Sequence, residues 1–119
     1  PEALALIREV LVIDPWNGAY LDSLGWVYVK MGRLDDARDP LERAAREFPK
    51  DATVLEHLGD LYDRRGDAGR AESYWRRALE ALPDVPESAA GRDGLLKKLD
   101  KFADGPSPAN QAGVVQPEK

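Results

Sequence analysis

The sequence predicts an all-α solenoid of antiparallel helix pairs. A thirty-residue stretch recurs at an interval of 34 residues, its matched positions fall at helical spacings, and glycine and proline punctuate both copies at the same points. The copies are "LDSLGWVYVKMGRLDDARDPLERAAREFPK" (21–50) and "LEHLGDLYDRRGDAGRAESYWRRALEALPD" (55–84). Nine of the thirty positions are identical, where ordinary composition would give roughly two. Eight of the nine are apolar, aromatic, glycine or proline. Packing selects such a set; a catalytic site would not.

Each copy reads as two helices. Leu21, Leu24 and Tyr28, like Leu55, Leu58 and Tyr62, recur three and four apart and form one helical face. Gly32 and Gly66 follow where the chain must reverse, since a residue without Cβ tolerates positive φ. Ala37, Leu41 and Ala44 repeat the stripe in the second helix, as do Ala71, Trp75 and Ala78. Pro49 and Pro83 end each unit, because proline cannot continue a helix. Gly25 and Gly59 sit inside helices at a cost of about 1 kcal/mol against alanine, which close approach of a neighbouring helix would justify. Pro40 should bend the helix around it or start it in a tighter turn.

Two partial copies flank this core. Ala3, Ile7, Val10 and Pro15 occupy second-helix slots of an earlier unit, and "PESAAGRDGLLKKLDKF" begins where another first helix belongs. In the latter, Arg92 and Asp93 replace Leu-Gly, while Leu95, Leu96, Leu99 and Phe102 form an apolar stripe with Lys97, Lys98 and Lys101 outside it. Such a one-faced helix suits the end of a stack.

This pattern, Leu-Gly-x-x-Tyr followed by Gly, Ala, a bulky apolar residue, Ala and Pro, resembles the tetratricopeptide repeat family. The resemblance covers about residues 1–102 and implies a right-handed superhelical solenoid. Its expected parts are a half repeat (1–14), two full repeats (18–51 and 52–85) and a capping helix (86–102). Residues 103–119, "ADGPSPANQAGVVQPEK", have few large apolar side chains and read as a disordered tail. The opening "PEALALIREV" starts within a helical pattern, and the run as a whole resembles the C-terminal portion of long bacterial multi-repeat proteins.

Composition narrows function. A net charge of −5 argues against nucleic acid and anionic membrane surfaces, since no excess of Lys and Arg neutralises phosphate. The absence of cysteine removes thiolate metal sites and Cys nucleophiles. No apolar run is long enough to span a bilayer, so a soluble compartment, cytoplasm or periplasm, is expected. Phosphate loops and Ser–His pairings are missing, which leaves no expected catalytic residue, cofactor or metal. The lone histidine, His57, lies one turn before Asp60, but two ligands do not close a metal site; a solvated or groove-facing role is expected. Arg65-Gly66-Asp67 spells an adhesion tripeptide but is read as the inter-helix turn.

A protein or peptide partner remains. The family's concave-face positions fall here on Asp22, Trp26, Val29 and Lys30, then on Glu56, Asp60, Asp63 and Arg64 with His57 beside them. The capping helix would add Ala90, Gly94, Lys97 and Lys98. Some relatives clamp a terminal carboxylate with Lys, Asn and Arg in these slots; Asp22, Trp26, His57 and Asp60 stand there instead, so that clamp is not expected. An acidic centre beside an aromatic favours a neutral or basic segment with an apolar anchor, or the acids only solvate an exposed face. For Trp26 both a binding hot spot and packing on a neighbouring helix are open; Trp16 reads as packing in an inter-repeat turn. The alternative function is docking into an oligomer or larger assembly. The first helix is apolar nearly all round, with Leu4, Leu6 and Val12 outside its expected inward stripe.

Overall fold

The computed structural model describes residues 2–15 and 17–103, so the expectations for Trp16 and for the tail lie outside the described residues. Six α-helices follow one another: α1 (Glu2–Ile13), α2 (Gly18–Lys30), α3 (Leu34–Glu47), α4 (Ala52–Arg64), α5 (Ala68–Ala81) and α6 (Ala89–Ala103), the last preceded by a 3₁₀ turn at Pro86–Ser88. There is no strand among the described residues. Each helix packs on the next, most extensively α2 on α3 and α4 on α5, and α2 also touches α4. The chain is an all-α solenoid of helix pairs.

Local chemistry sets the boundaries. Asn17 accepts a hydrogen bond from the Tyr20 amide at the start of α2, and Asp51 accepts from Thr53 and Val54 at the start of α4. Asp67 accepts from the Arg70 amide at the start of α5. These side-chain oxygens satisfy first-turn donors that lack helical partners. At the other end, the turns after α2 and α4 are the same turn built twice. Gly32 and Gly66 have φ of 79° and 81°. The Arg33 amide donates to the Tyr28 carbonyl and the Asp67 amide to the Tyr62 carbonyl, both at 2.9 Å.

Inside the pairs, glycine permits contact that no other residue would. A Cβ built on Gly25 would lie 2.3 Å from Leu41 Cγ, and one on Gly59 would lie 2.2 Å from Trp75 Cδ1. Both are far inside van der Waals contact, so each first helix lies directly against the bulky residue of its partner. Ala37, Leu41, Ala44, Ala71, Trp75 and Ala78 are all buried. The tyrosines extend the pattern between pairs: Arg8 Nη2 donates to the Tyr28 hydroxyl at 2.7 Å, and the Tyr62 hydroxyl donates to Glu42 Oε2 at 2.5 Å. Arg8 and Glu42 are themselves one repeat apart, so one inter-repeat hydrogen bond occurs twice with its polarity reversed.

Several expectations need correction. In α1 the buried residues are Leu4 and Ile7, with Leu11 half-buried against Leu21, Ala44 and Val54, whereas Ala3 is exposed and Val10 half-buried. Leu4 therefore belongs to the core and not to a docking face. Burying a leucine removes far more apolar area from water than burying an alanine, and the helix is rotated accordingly. Leu6 and Val12 do stay exposed, with Ile13. On α6, Leu95 and Phe102 are buried and Leu99 half-buried, but Leu96 is exposed. Pro40 does not start a tighter turn: α3 continues through it and buries its ring.

Gly59→Ala should destabilise the fold by about 1–3 kcal/mol, the range for an overpacked core. Gly94→Ala has nothing within 4 Å of its new methyl and should stabilise by up to about 1 kcal/mol. Urea unfolding monitored by circular dichroism reads both, and the opposite signs separate close approach from helix propensity.

Candidate functional site

The first helices of the pairs, α2 and α4, and the last helix described, α6, bring most of the expected site residues onto one continuous face. Side-chain contacts cross from α2 to α4 and from α4 to α6. His57 Nδ1 lies 2.8 Å from Asp22 Oδ1, and only 17% and 14% of these two side chains remain exposed. His57 is thus neither solvated nor paired with Asp60; its partner lies 35 residues upstream. Its ring stacks on Trp26 with centroids 4.2 Å apart and planes 15° apart. Lys30 stays exposed, with its ammonium 5.3 Å from the centre of the Trp26 ring. Trp26 is half-buried, so it packs on the neighbouring helix and still presents surface. Arg64 Nη1 donates to the Val29 carbonyl at 3.1 Å.

Val29 itself must be removed from the face. It has no exposed surface and lies in the main core with Leu58 and Leu61. A concave-face slot filled by a β-branched apolar residue gains more from turning inward than from meeting water.

The central acids are engaged by this chain's own cations. Lys98 Nζ donates to Glu56 Oε2 at 2.6 Å and to Asp60 Oδ1 at 2.8 Å. Lys101 Nζ donates to Asp63 Oδ1 at 2.5 Å. Asp60 also accepts from the Trp75 indole Nε1 at 3.1 Å. The expectation of an acidic centre open to a basic partner is corrected accordingly: Asp22, Glu56, Asp60 and Asp63 each already face a cationic or histidine side chain. Burial lowers the Lys98 pKa, but the hydrogen bonds and charges of Asp60 and Glu56 outweigh it and hold the ammonium above the ordinary lysine value.

A cleft of about 330 Å³ lies between α4 and α6, over Trp75, bounded by Asp60, Asp63, Arg64, Lys97, Lys98 and Lys101. Ala90, near the start of α6, is exposed, and Gly94 is half-buried with open space around its Cα. Among the described residues no three His, Asp or Glu side chains converge to hold a metal. Nor is any helix among them long and apolar enough to cross a membrane. Sequence reasoning missed Lys101 as a member of this face. The signal was available in its spacing of three from Lys98.

The exchange between repeats has a clear logic. The slot of Trp26 holds Asp60 one repeat later, and the slot of Leu41 holds Trp75. The second repeat moves its indole from the open face into the core, and Asp60 supplies the acceptor that a buried indole N–H requires.

A family model described as a tetratricopeptide repeat matches residues 23–86. Among curated proteins, a TPR repeat-containing protein of Pseudomonas aeruginosa is 37% identical over 79 residues, 66% of this chain and 13% of that protein. The probable biofilm formation methyltransferase WspC of Pseudomonas putida is 37% identical over 65 residues, covering 55% of this chain and 15% of its own. The cytochrome c-type biogenesis protein CycH of Rhizobium meliloti is 32% identical over 104 residues, covering 85% and 27%. The chain therefore spans about a quarter or less of the length of these relatives. Among solved structures, the type III secretion translocator chaperone SycD of Yersinia enterocolitica superposes with a TM-score of 0.79 at 20% identity, over 86% of this chain and 70% of that one.

Lys98→Met leaves Asp60 and Glu56 without their cation and should cost about 1–2 kcal/mol, between an exposed ion pair and a buried one. Lys101→Met should cost less than about 0.5 kcal/mol. Because the Lys98 pKa is raised, its contribution is complete at neutral pH and is lost as pH climbs past its folded-state value, above the ordinary 10.5. Urea titrations of wild type and Lys98→Met should therefore converge at the alkaline end.

Proposed function

We infer from the tetratricopeptide repeat family, to which this chain belongs, that it is a non-catalytic scaffold binding a partner protein or peptide through the face of α2, α4 and α6. The observation that carries this reading is Trp26: half-buried, stacked on His57 and flanked by the ammonium of Lys30. A tryptophan held in place by its neighbours and still half-exposed is a common anchor of a protein interface. Asp22, Trp26, Lys30, Glu56, His57, Asp60, Asp63 and Arg64 form the contact set. Since each of these acids already has a partner within the chain, the partner is a neutral segment with an apolar anchor, the half of the sequence expectation that this pairing supports. Opening an internal ion pair to admit a basic side chain would cost the desolvated contacts already made.

A second reading rests on α1, where Leu6, Val12 and Ile13 are 61%, 83% and 85% exposed. Such surface suits docking into a larger assembly or a second copy. One solved form of SycD is an alternative dimer, and that likeness at 22% identity supports the fold alone.

Panning a peptide library against the whole chain tests the first reading. Recovered peptides should be neutral with one large apolar residue, and Trp26→Ala should weaken them at least tenfold with helicity unchanged. Equal binding to that variant would overturn it. Light scattering tests the second: association that rises with concentration and is abolished by Leu6→Asp plus Val12→Asp supports it, and a monomer at high concentration excludes self-association.

A further inference from the structure

On the opposite side of the stack, the second helices α3 and α5 enclose a cleft of about 410 Å³. Arg38, Glu42 and Arg46 line it from α3, Tyr62 forms part of it from α4, and Arg70 and Tyr74 line it from α5. The spacings of four and eight on α3 place Arg38, Glu42 and Arg46 on one helical face. The two tyrosine rings stack, with centroids 5.7 Å apart and planes 6° apart, and the Arg70 guanidinium lies 5.5 Å from the Tyr62 ring centre.

Charge accounting shows what this cleft lacks. Glu42 accepts the Tyr62 hydroxyl, and burial followed by that hydrogen bond pushes the tyrosine to about 12, so the donor stays protonated. Asp39, on the rim, is paired with Arg43. Arg70 is paired with Asp67. Arg38 and Arg46 have no acidic partner among the described residues, although the protein as a whole carries a net charge of −5. Two uncommitted guanidiniums about 12 Å apart along the helix therefore flank a slot that the half-buried Tyr74 borders. Guanidinium forks recognise oxyanions in paired geometry and tolerate partial desolvation better than ammonium does.

We propose that the α3–α5 cleft is a second docking site, for an acidic peptide segment whose carboxylates meet Arg38 and Arg46 while its chain lies against the half-buried Tyr74. An extended strand spans this separation in about four residues, so carboxylates at positions i and i+4 match the two arginines, with Glu42 disfavouring a third between them. This site differs from the Trp26 face in location and in partner charge and stands whether or not that reading holds. A scaffold with both faces could hold two chemically distinct partners at once.

The test uses the whole chain with ¹⁵N and ¹³C labels and a capped octapeptide, Gly-Glu-Gly-Gly-Gly-Glu-Gly-Gly, alongside its Gln counterpart. Expected are saturable shifts at the side chains of Arg38, Arg46 and Tyr74 with the Glu peptide and none with the Gln peptide. Arg38→Gln plus Arg46→Gln, both exposed positions, should weaken binding at least tenfold and leave the amide spectrum of α4 unchanged. Trp26→Ala should leave the affinity as it was. No saturable shift, or shifts spread equally over Arg64, Lys97 and other exposed cations, would overturn the proposal. So would full retention of binding in the double variant, or identical shifts from inorganic phosphate at equal concentration.

Discussion

The structure depends on two glycines that let paired helices touch. At Gly25 and Gly59 a single methyl would collide with Leu41 and Trp75, so each pair closes to a distance that leaves the tyrosine three residues on in reach of the preceding repeat. That spacing decides the rest. Tyr28 and Tyr62 then span to Arg8 and Glu42, which stacks the pairs, and stacking sets α2 beside α4. The cost of interior glycine, about 1 kcal/mol each, is offset by burial of a leucine and a tryptophan with almost no exposed surface.

Stacking alone would leave a row of carboxylates along the first helices. The molecule resolves this internally. α6 lays Lys98 and Lys101 over Glu56, Asp60 and Asp63 while Leu95 and Phe102 join the core, so α6 is held to the stack by charge as well as by apolar contact. On the side of α4 that faces α2, His57 meets Asp22. What remains open on that face is aromatic more than acidic. The second helices leave arginines uncommitted on the far side, and the two faces differ in character even though they share helices and a repeat.

The fold was legible because packing constraints repeat: glycine, alanine and tyrosine recur at fixed intervals, and each recurrence reports the same contact. The site was legible only in outline. Positions such as Trp26, Asp60 and Arg64 could be placed on a face by register, but their partners could not, because Asp22–His57 and Lys98–Glu56 join residues 35 and 42 apart with no sequence periodicity between them. Val29 and Leu4 were misplaced for a related reason. Register assigns a slot, while the apolar surface of the side chain in it decides whether that slot turns inward. The move of the indole from Trp26 to Trp75, with Asp60 as its acceptor, was written in the alignment of the two copies and needed only to be read as a pair.

The central claim, that glycine-mediated contact organises the stack, is tested most directly by proton–proton nuclear Overhauser measurements on the labelled chain. The account predicts strong cross-peaks from the Gly59 α-protons to the Trp75 indole ring and from the Gly25 α-protons to the Leu41 methyls. Absence of both, with those side chains showing cross-peaks to other helices instead, would contradict it.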